Sequence, residues 1–243
     1  MNLTLNKSDF VNNILNPASK LTDNLLLDFQ PSNYKAGWAA KTIVNSADSS
    51  VIFIGEIPCI VEDPFKCIVP DCKTFLRLFS GIDQEQIELT IDSNVIKYKD
   101  NNFSFKYHLL DENCMVSKKS ISEDKLNQLE YDTTFNTTKS KISEILKFNS
   151  IIPDAEKMYF FTKDKKVFVK IGDDQKCNTN EIITETSNCF TGELLMDPLP
   201  LNIQNILLMS FAEDNVQISI NQKLKIIKFF TSQVQYIVSG LVK

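Results

Sequence analysis

The chain has 243 residues, of which 43% are hydrophobic and 23% are charged, and its net charge is −5 at pH 7. This composition is typical of a globular protein, and no apolar run approaches the ~18 residues that indicate a transmembrane helix. Because the balance is acidic, the molecule as a whole is not drawn to nucleic acid. Any DNA contact must come from a local concentration of lysines.

Motifs for catalysis and metal binding are absent from the sequence. There is no P-loop, GxGxxG, GxSxG or HExxH, the six cysteines form no CxxC pair, and His108 is the only histidine. Since His108 lies in an alternating strand pattern, we interpret it as a strand-face residue and not as a general base. We therefore expect no enzymatic activity, no metal and no cofactor. The N-terminus does not resemble a signal peptide, so we expect a cytoplasmic protein with free thiols.

The first quarter of the chain predicts one strand, one helix and three further strands. The predicted elements are strand 3–5, helix 6–16 and strands 25–29, 38–44 and 51–57. Pro17 is expected to stop the helix. Pro58 and Pro64 are expected to interrupt any strand in the loop that follows, 57–64.

The second quarter repeats this order, and its helix has the clearest pattern. Its elements are strand 65–69, helix 70–81 and strands 86–91, 95–99 and 103–110. The helix has an apolar face at i, i+3, i+4 and i+7, formed by Cys72, Phe75, Leu76 and Phe79. Asp71 is a candidate N-cap and Gly81 a candidate C′ residue. Lys73 and Arg77 point away from the apolar face, and Arg77 is the only arginine.

The second half of the chain predicts the same order twice more, after a polar connector at 111–129. The third unit has strand 131–135, helix 137–149 and strands 158–162, 166–171 and 181–186. The fourth has strand 191–196, helix 200–211 and strands 216–220, 224–230 and 234–239. The helices start about 65 residues apart, which indicates a structural repeat. We predict an α+β fold with domains at 1–110 and 130–243, each placing two helices on one face of antiparallel sheet.

Four such units in two similar domains resemble a DNA sliding clamp of the two-domain type that closes as a trimer. The run FKCIVPDCKTFLRLFSGI most resembles the clamps of T-even-like phages, and the C-terminal LKIIKFFTSQVQYIVSG resembles the closing hairpin of the family. The abundance of Lys over Arg also suggests an A+T-rich, viral genome. The resemblance implies that sheets form an outer wall, that helices line a channel around duplex DNA, and that the ring tethers a polymerase after an ATP-dependent clamp loader has opened it. In the T-even-like phages it also implies support of late transcription.

The resemblance assigns the free faces of the helices to DNA. Lysines and amides there would attract backbone phosphate without reading sequence. The candidates are Lys7, Asn12, Asn13 and Lys20 at the first helix, Lys73 and Arg77 on the second, Lys139, Lys141 and Lys147 on the third, and Asn202 and Asn205 on the fourth. The fourth helix offers no cation, and Glu144 on the third counts against the assignment. Exposed lysines on helices are also common as simple solubility charges.

Two other surfaces follow from the resemblance. The last strand of the first domain and the strand at 181–186 match the interface strands of the family, and they carry the candidates Phe103, Phe105, Tyr107, Leu109, Ile182, Ile183 and Thr184. The apolar pocket for partner peptides lies beside the connector and the C-terminus, where the candidates are Met115, Val116, Ile121, Leu126, Leu241 and Val242. Core or linker packing would explain these apolar residues equally well.

Three other classes of protein stay open. One is a clamp-fold transcription factor without ring closure, another is a β-rich viral structural or assembly protein, and the weakest is an unrecognised hydrolase. Cations aligned on helices distinguish a clamp from a virion protein, and trimer formation distinguishes it from the transcription factor.

Overall fold

The structure is a computed structural model that describes residues 1–32, 37–110, 125–126, 128–172 and 180–241. The chain divides into two compact units, Met1–Ser120 and Ile121–Lys243. Both units consist mainly of antiparallel sheet with a few short helices. None of the helices in the described ranges is long and apolar enough to cross a membrane.

Within the part of the first unit that the structure describes, there are eight strands and two helices. In chain order these are β1 (Asn2–Asn6), α1 (Lys7–Phe10, Val11–Leu15 and Asn16–Ser19 in succession), β2 (Leu25–Pro31), β3 (Trp38–Asn45), β4 (Val51–Val61), β5 (Phe65–Val69), α2 (Cys72–Phe79), β6 (Gln86–Asp92), β7 (Val95–Lys99) and β8 (Ser104–His108).

The two halves of this unit exchange their first strands. β1 pairs with β6, so that it joins the meander β6-β7-β8, whereas β5 pairs with β2 and joins β2-β3-β4. β4 also pairs with β1 through Cys59–Leu5 and its neighbours, which links the two halves. Because each half completes the sheet of the other, neither half can form its sheet alone.

Among its described residues, the second unit has nine strands and, besides the helical pair 125–126, two helices. These are β9 (Thr133–Thr138), α3 (Lys139–Asn149), β10 (Lys157–Lys163), β11 (Lys166–Ile171), β12 (Ile182–Ser187), β13 (Thr191–Gly192), β14 (Leu199–Asn202), α4 (Ile203–Leu207), β15 (Asn215–Asn221), β16 (Ile226–Phe230) and β17 (Val234–Ser239). The same exchange occurs here, since β9 pairs with β15 and β14 pairs with β10. The predicted α+β class and its strand-helix-three-strand repeat are thus confirmed.

Aromatic side chains contact one another in the core of each unit, and in the first unit Phe75 and Phe79 of helix α2 also contact Tyr107 and Phe105 of β8. In the first unit the ring of Phe10 lies 6.4 Å from that of Phe75 and 5.2 Å from that of Phe79, in edge-to-face contacts. In the second unit the ring of Phe160 lies 5.9 Å from that of Phe135. Edge-to-face pairs contribute about 0.5–1.5 kcal/mol beyond their buried area. This packing fixes which helix faces remain exposed.

Of the three proline predictions in the first unit, those for Pro17 and Pro58 are wrong, whereas Pro64 lies between β4 and β5 as predicted. Helix α1 continues past Pro17 to Ser19, because a π-helical turn at Val11–Leu15 precedes the proline and changes the hydrogen-bond spacing there. Strand β4 continues past Pro58 to Val61. The pairing between β4 and β1 begins at Cys59 of β4. Pro58 therefore has no partner in β1 that would need the N–H that proline lacks.

Two other details of the sequence prediction also need correction. The fourth helix starts at Ile203, three residues later than expected, because residues 199–202 form β14 and pair with β10. Gly81 follows helix α2, but its φ is not positive, so it does not adopt the left-handed conformation of a C′ glycine. The residue must be small for a different reason, since a Cβ there would lie 2.8 Å from the ring of Phe103.

Candidate nucleic-acid interface

Helix α2 presents two cations on its exposed side. Asp71 caps the helix by accepting the N–H of Thr74 at 2.9 Å, and its bonds to Thr74 hold the pKa of the Asp71 carboxyl below its usual value. Burial of Phe75 and Phe79 turns Lys73 and Arg77 outward. The cap and the apolar face predicted from the sequence are therefore confirmed.

The two cations of helix α2 differ in their local partners. The ammonium of Lys73 lies 3.4 Å from the carboxylate of Asp23, and both side chains are well exposed. Within the described residues, Arg77 has no hydrogen bond or ion pair. Its guanidinium is thus available for an external anion.

Helix α3 presents a row of polar side chains. Thr138 caps it by accepting the N–H of Lys141 at 3.1 Å, and Ile142 and Ile145 are buried beneath it. Lys139, Ser143 and Lys147 lie at i, i+4 and i+8 and are all exposed, as the sequence predicts.

Lys141 lies apart from that row. Its ammonium contacts the carboxylate of Glu144 at 3.0 Å and the hydroxyl of Thr184 in β12 at 2.9 Å. The lysine therefore joins the helix to the sheet of its own unit. Lys141 is half-buried and not fully exposed, and its DNA-binding role stays a prediction.

Helix α1 offers less positive charge. Lys7 donates to the carbonyl oxygen of Ile82 at 2.7 Å, so its ammonium is tied to the backbone of its own unit. Asn12 and Lys20 are exposed, and partial desolvation lowers the pKa of the Lys20 ammonium. Asn13 is only 2% exposed, because it faces β4 at the close approach of the helix to Gly55. Its predicted place on the free face is wrong.

Helix α4 carries no charged residue. Asn202 uses its side-chain oxygen to cap the helix, accepting the N–H of Gln204 at 2.9 Å. Asn205 is only 7% exposed, so its predicted place on the free face is also wrong. Asn205 is buried together with Ile203 and Ile206 of the same helix.

Charge is unevenly distributed between helices and the rest of the chain. The four helices carry six basic and two acidic side chains, in a chain whose net charge is −5. The strands, loops and termini therefore hold a clear acidic excess. Lys73, Arg77, Lys139 and Lys147 form the exposed part of the basic set, which we call the helix cations.

The two predicted interface strands lie at sheet edges. β8 pairs with β7, and β12 pairs with β11; within the described residues neither has a strand along its other side. In β8, Phe105 contacts Phe79, and Tyr107 contacts Phe75 and donates its hydroxyl to the carbonyl oxygen of Asp71 at 2.9 Å. These aromatic rings, like that of Phe103, are half-buried.

The remaining interface candidates differ in exposure. Leu109 is 9% exposed and belongs to the core of its unit. In β12, Ile183 is 52% exposed, whereas Ile182 is half-buried. Thr184 is also half-buried, because its hydroxyl accepts a hydrogen bond from the ammonium of Lys141. Ile183 is thus the most accessible apolar residue of the two strands.

Most of the predicted peptide pocket cannot be located. Met115, Val116, Ile121 and Val242 lie outside the described residues. Leu126 is buried, and Leu241 is half-buried with its N–H donated to the carbonyl oxygen of Pro200.

A groove with mixed polar and apolar lining, which the sequence did not reveal, lies between α3 and α4 and has a volume of about 200 Å³. It is lined by Lys139, Ile142, Ser143, Leu146, Ile206, Met209, Ser210 and Phe211. None of the predicted pocket residues contributes to it. Within the described ranges, no group of three or more His, Cys, Asp or Glu residues could hold a metal ion.

Comparison with known proteins identifies the fold. No protein-family model and no curated protein matches the sequence. Solved structures do match, over the whole chain, and they are DNA polymerase sliding clamps. The fold is that of a sliding clamp.

Three solved clamps illustrate the match. PCNA of A. fulgidus, bound to the C-terminal region of FEN-1, is 13% identical with a TM-score of 0.74, over 100% of this chain and 98% of that one. The Bacillus subtilis clamp is 11% identical with a TM-score of 0.71, over 100% and 64%. The Helicobacter pylori β clamp bound to a DNA ligase peptide is 12% identical with a TM-score of 0.63, over 100% and 67%. This chain therefore spans about two thirds of the bacterial clamps and nearly all of the archaeal one.

Proposed function

We propose that the protein is a sliding clamp, a non-enzymatic processivity factor that encircles duplex DNA and tethers a replicative polymerase. The observation that carries the proposal is the end-to-end match to an archaeal clamp, which covers 100% of this chain and 98% of that one. A chain of this length has two units and four helices. By resemblance to the two-domain clamps, three such chains close one ring.

The helix cations support the DNA-binding part of the proposal. They are exposed, they lie on two different helices, and they concentrate positive charge in an otherwise acidic chain. Contacts of this kind bind phosphate without sequence preference and are weak individually, which suits a protein that must move along DNA. Asn12 and the capping Asn202 would add neutral hydrogen bonds.

The edge strands support ring closure. A half-exposed strand edge with little charge on its apolar side is a surface that proteins normally pair or cover. We propose that β8 of one subunit pairs with β12 of the next, so that three identical head-to-tail contacts close a homotrimer. Phe103, Phe105, Tyr107, Ile182, Ile183 and Thr184 would then lie in or beside the seam.

Mass in solution tests this closure. The wild type should have about three times the 27.7 kDa mass of one chain at micromolar concentration. Ile183→Asp should give a folded monomer, because it places a carboxylate in the seam at a residue that is 52% exposed within the subunit. A monomeric wild type would remove the ring, and a trimeric Ile183→Asp variant would place the seam elsewhere.

The remaining partners follow from the resemblance to the family. We propose that an ATP-dependent loader opens the ring, and that polymerase docks a short apolar peptide near the connector 111–129 between domains 1–110 and 130–243. Two of the matched clamps carry partner peptides, from FEN-1 and from DNA ligase. The proposal includes the T-even-like phage type, with support of late transcription, and action in the cytoplasm of the host cell. A protein that stays monomeric and does not encircle DNA would instead indicate a clamp-fold transcription factor without ring closure.

A further inference from the structure

We propose that charged rows on the outer faces of β8 and β12 direct these strands to pair with each other and prevent either from pairing with its own copy. This inference rests on the proposed ring. It goes beyond ring closure, because it names the side chains that select a head-to-tail ring over a two-fold dimer. The partner is a second copy of this chain.

The outer row of β8 is basic. Phe105 and Tyr107 point toward helix α2, and successive strand residues point to opposite faces. Ser104, Lys106 and His108 therefore lie on the outer face, where all three are exposed. The row contains no acidic residue.

The carboxylate of Asp92 interacts electrostatically with Lys106 but forms its hydrogen bond and ion pair with Lys97, so Lys106 is only partly neutralised by the described residues of its unit. The cross-strand neighbour of Lys106 in β7 is Lys97, so two like charges stand directly opposite each other. Lys97 is neutralised by the carboxylate of Asp92 at 2.9 Å, but Lys106 has no ion pair within the described residues. A carboxylate on the open side of β8 would relieve this repulsion.

The outer row of β12 is acidic. Thr184 points toward helix α3, where it contacts Lys141, so Glu181, Ile183 and Glu185 lie on the other face. The carboxylate of Glu185 contacts the ammonium of Lys166 in β11 at 2.8 Å, yet the side chain of Glu185 is still 41% exposed. The side chain of Glu181 is 57% exposed, with its carboxylate 4.0 Å from Lys170. Both carboxylates retain room for a second cation.

These two rows fit each other and do not fit themselves. When β8 pairs with β12 with the helices on one side, Lys106 and His108 come to lie along Glu181, Ile183 and Glu185, whichever direction the strands run. A pair of two β8 strands would place lysine beside lysine, and a pair of two β12 strands would place carboxylates together. Like charges across a strand pair destabilise it, and such repulsion is how interfaces exclude wrong partners. The rows therefore favour the heterologous contact that closes a ring.

Charge inversion tests the inference through assembly alone. Lys106→Glu converts one attraction into a repulsion at each seam, which should weaken each seam roughly tenfold. A trimer contains three seams, so the monomer–trimer constant should change about a thousandfold and the midpoint concentration about thirtyfold. Sedimentation velocity over a dilution series measures this midpoint, and added salt should reduce the difference between variant and wild type.

A fully inverted chain should restore assembly. It carries Lys106→Glu with Glu185→Lys, together with Lys166→Glu to keep the ion pair between β11 and β12. This chain should form trimers with a midpoint near the wild-type value. In a mixture with labelled wild type it should assemble only with itself, which native mass spectrometry detects. The matched control is Lys223→Glu, an exposed lysine in the turn between β15 and β16, and it should leave the midpoint unchanged.

The outcomes separate this inference from the proposed function. If the wild type is a trimer while Lys106→Glu behaves like Lys223→Glu, or if inverted and wild-type chains mix freely, the charged rows do not select the partner and the inference is wrong. The ring itself would still stand. If the wild type is a monomer or a two-fold dimer at every concentration, both the ring and the inference are overturned.

Discussion

Removing the cations of helix α2 should weaken DNA binding while leaving the fold intact. In the variant Lys73→Ala with Arg77→Ala, both lost side chains are exposed and lie opposite Phe75 and Phe79. The one ion pair that is lost, with Asp23 at 3.4 Å, is solvent-exposed. Such pairs contribute up to about 1 kcal/mol, so the melting temperature should fall by no more than about 2–4 °C.

The effect on DNA binding follows from counterion release. Each phosphate contact contributes about 0.9 to the slope of log K against log salt. Two contacts fewer should therefore reduce the slope by about 1.8 for every subunit that engages the duplex. Between about 50 and 200 mM salt, the wild type should lose roughly tenfold more affinity per engaged subunit than the variant does.

Fluorescence anisotropy with a short labelled duplex measures this slope across a salt series. The matched control replaces Lys163 and Lys165 by Ala, two exposed lysines at the hairpin between β10 and β11. The control should keep the wild-type slope. If both double variants change the slope equally, or neither does, the helix cations do not face DNA and the assignment of α2 and α3 is refuted.

Three other predictions concern packing, pH and partner binding. Gly55→Ala should reduce the free energy of unfolding by about 1–3 kcal/mol in urea titrations, because its Cβ would lie 2.6 Å from the backbone oxygen of Asn13. Gly81→Ala should cost less, because the ring of Phe103 can turn away; equal losses would contradict this reasoning. Burial raises the pKa of the Cys72 thiol to about 12 from its usual 9.0, so stability present below about pH 9 should decline as pH rises toward 12, and less steeply in Cys72→Ala. An unchanged decline in that variant would exclude this thiol as a cause. Ile121→Asp should weaken polymerase binding in pull-down assays without changing the trimer mass, and unaltered binding would move the pocket elsewhere.

The sequence-based prediction was most accurate for a helix whose capping residue and buried face are both recognisable in the sequence. Asp71 with an apolar stripe ending at Phe79 predicts α2 at 70–81, within two residues of its observed ends, and the same pattern turns Lys73 and Arg77 outward. Helix α3 was predicted at 137–149 without a cap residue, and the structure begins it at Lys139 after the cap Thr138. For these two helices, side-chain periodicity identified all four helix cations as exposed, although on α3 it also selected Lys141, which is half-buried.

The sequence failed where tertiary contacts override local preference. Pro17 and Pro58 usually interrupt a helix or a strand, but a π-helical turn accommodates the first, and the second lies just outside the stretch of β4 that pairs with β1. The pattern at residues 199–202 is typical of the start of a helix, yet these residues form β14 because they pair with β10. No local pattern reports such pairing. The same reason explains Asn13 and Asn205, which are buried by neighbours that lie far away in the sequence.

The sequence also did not reveal which charged side chains lie next to one another. Lys106 and Lys97 are nine residues apart, and only the register of β7 with β8 reveals that they stand opposite each other. Lys141 was a reasonable DNA-binding candidate until Thr184 and Glu144 were found beside it. The groove between α3 and α4 likewise depends on two helices from different repeats.

The most direct test of a clamp is whether DNA ends control its release. The protein is threaded at low salt onto linear duplex with biotin at both ends, the ends are then blocked with streptavidin, and the salt is raised before gel filtration. A closed ring should stay with the blocked DNA and leave the open DNA, since only topology survives when phosphate contacts are screened. Equal loss of protein from blocked and open DNA would contradict encirclement, and with it the proposed function.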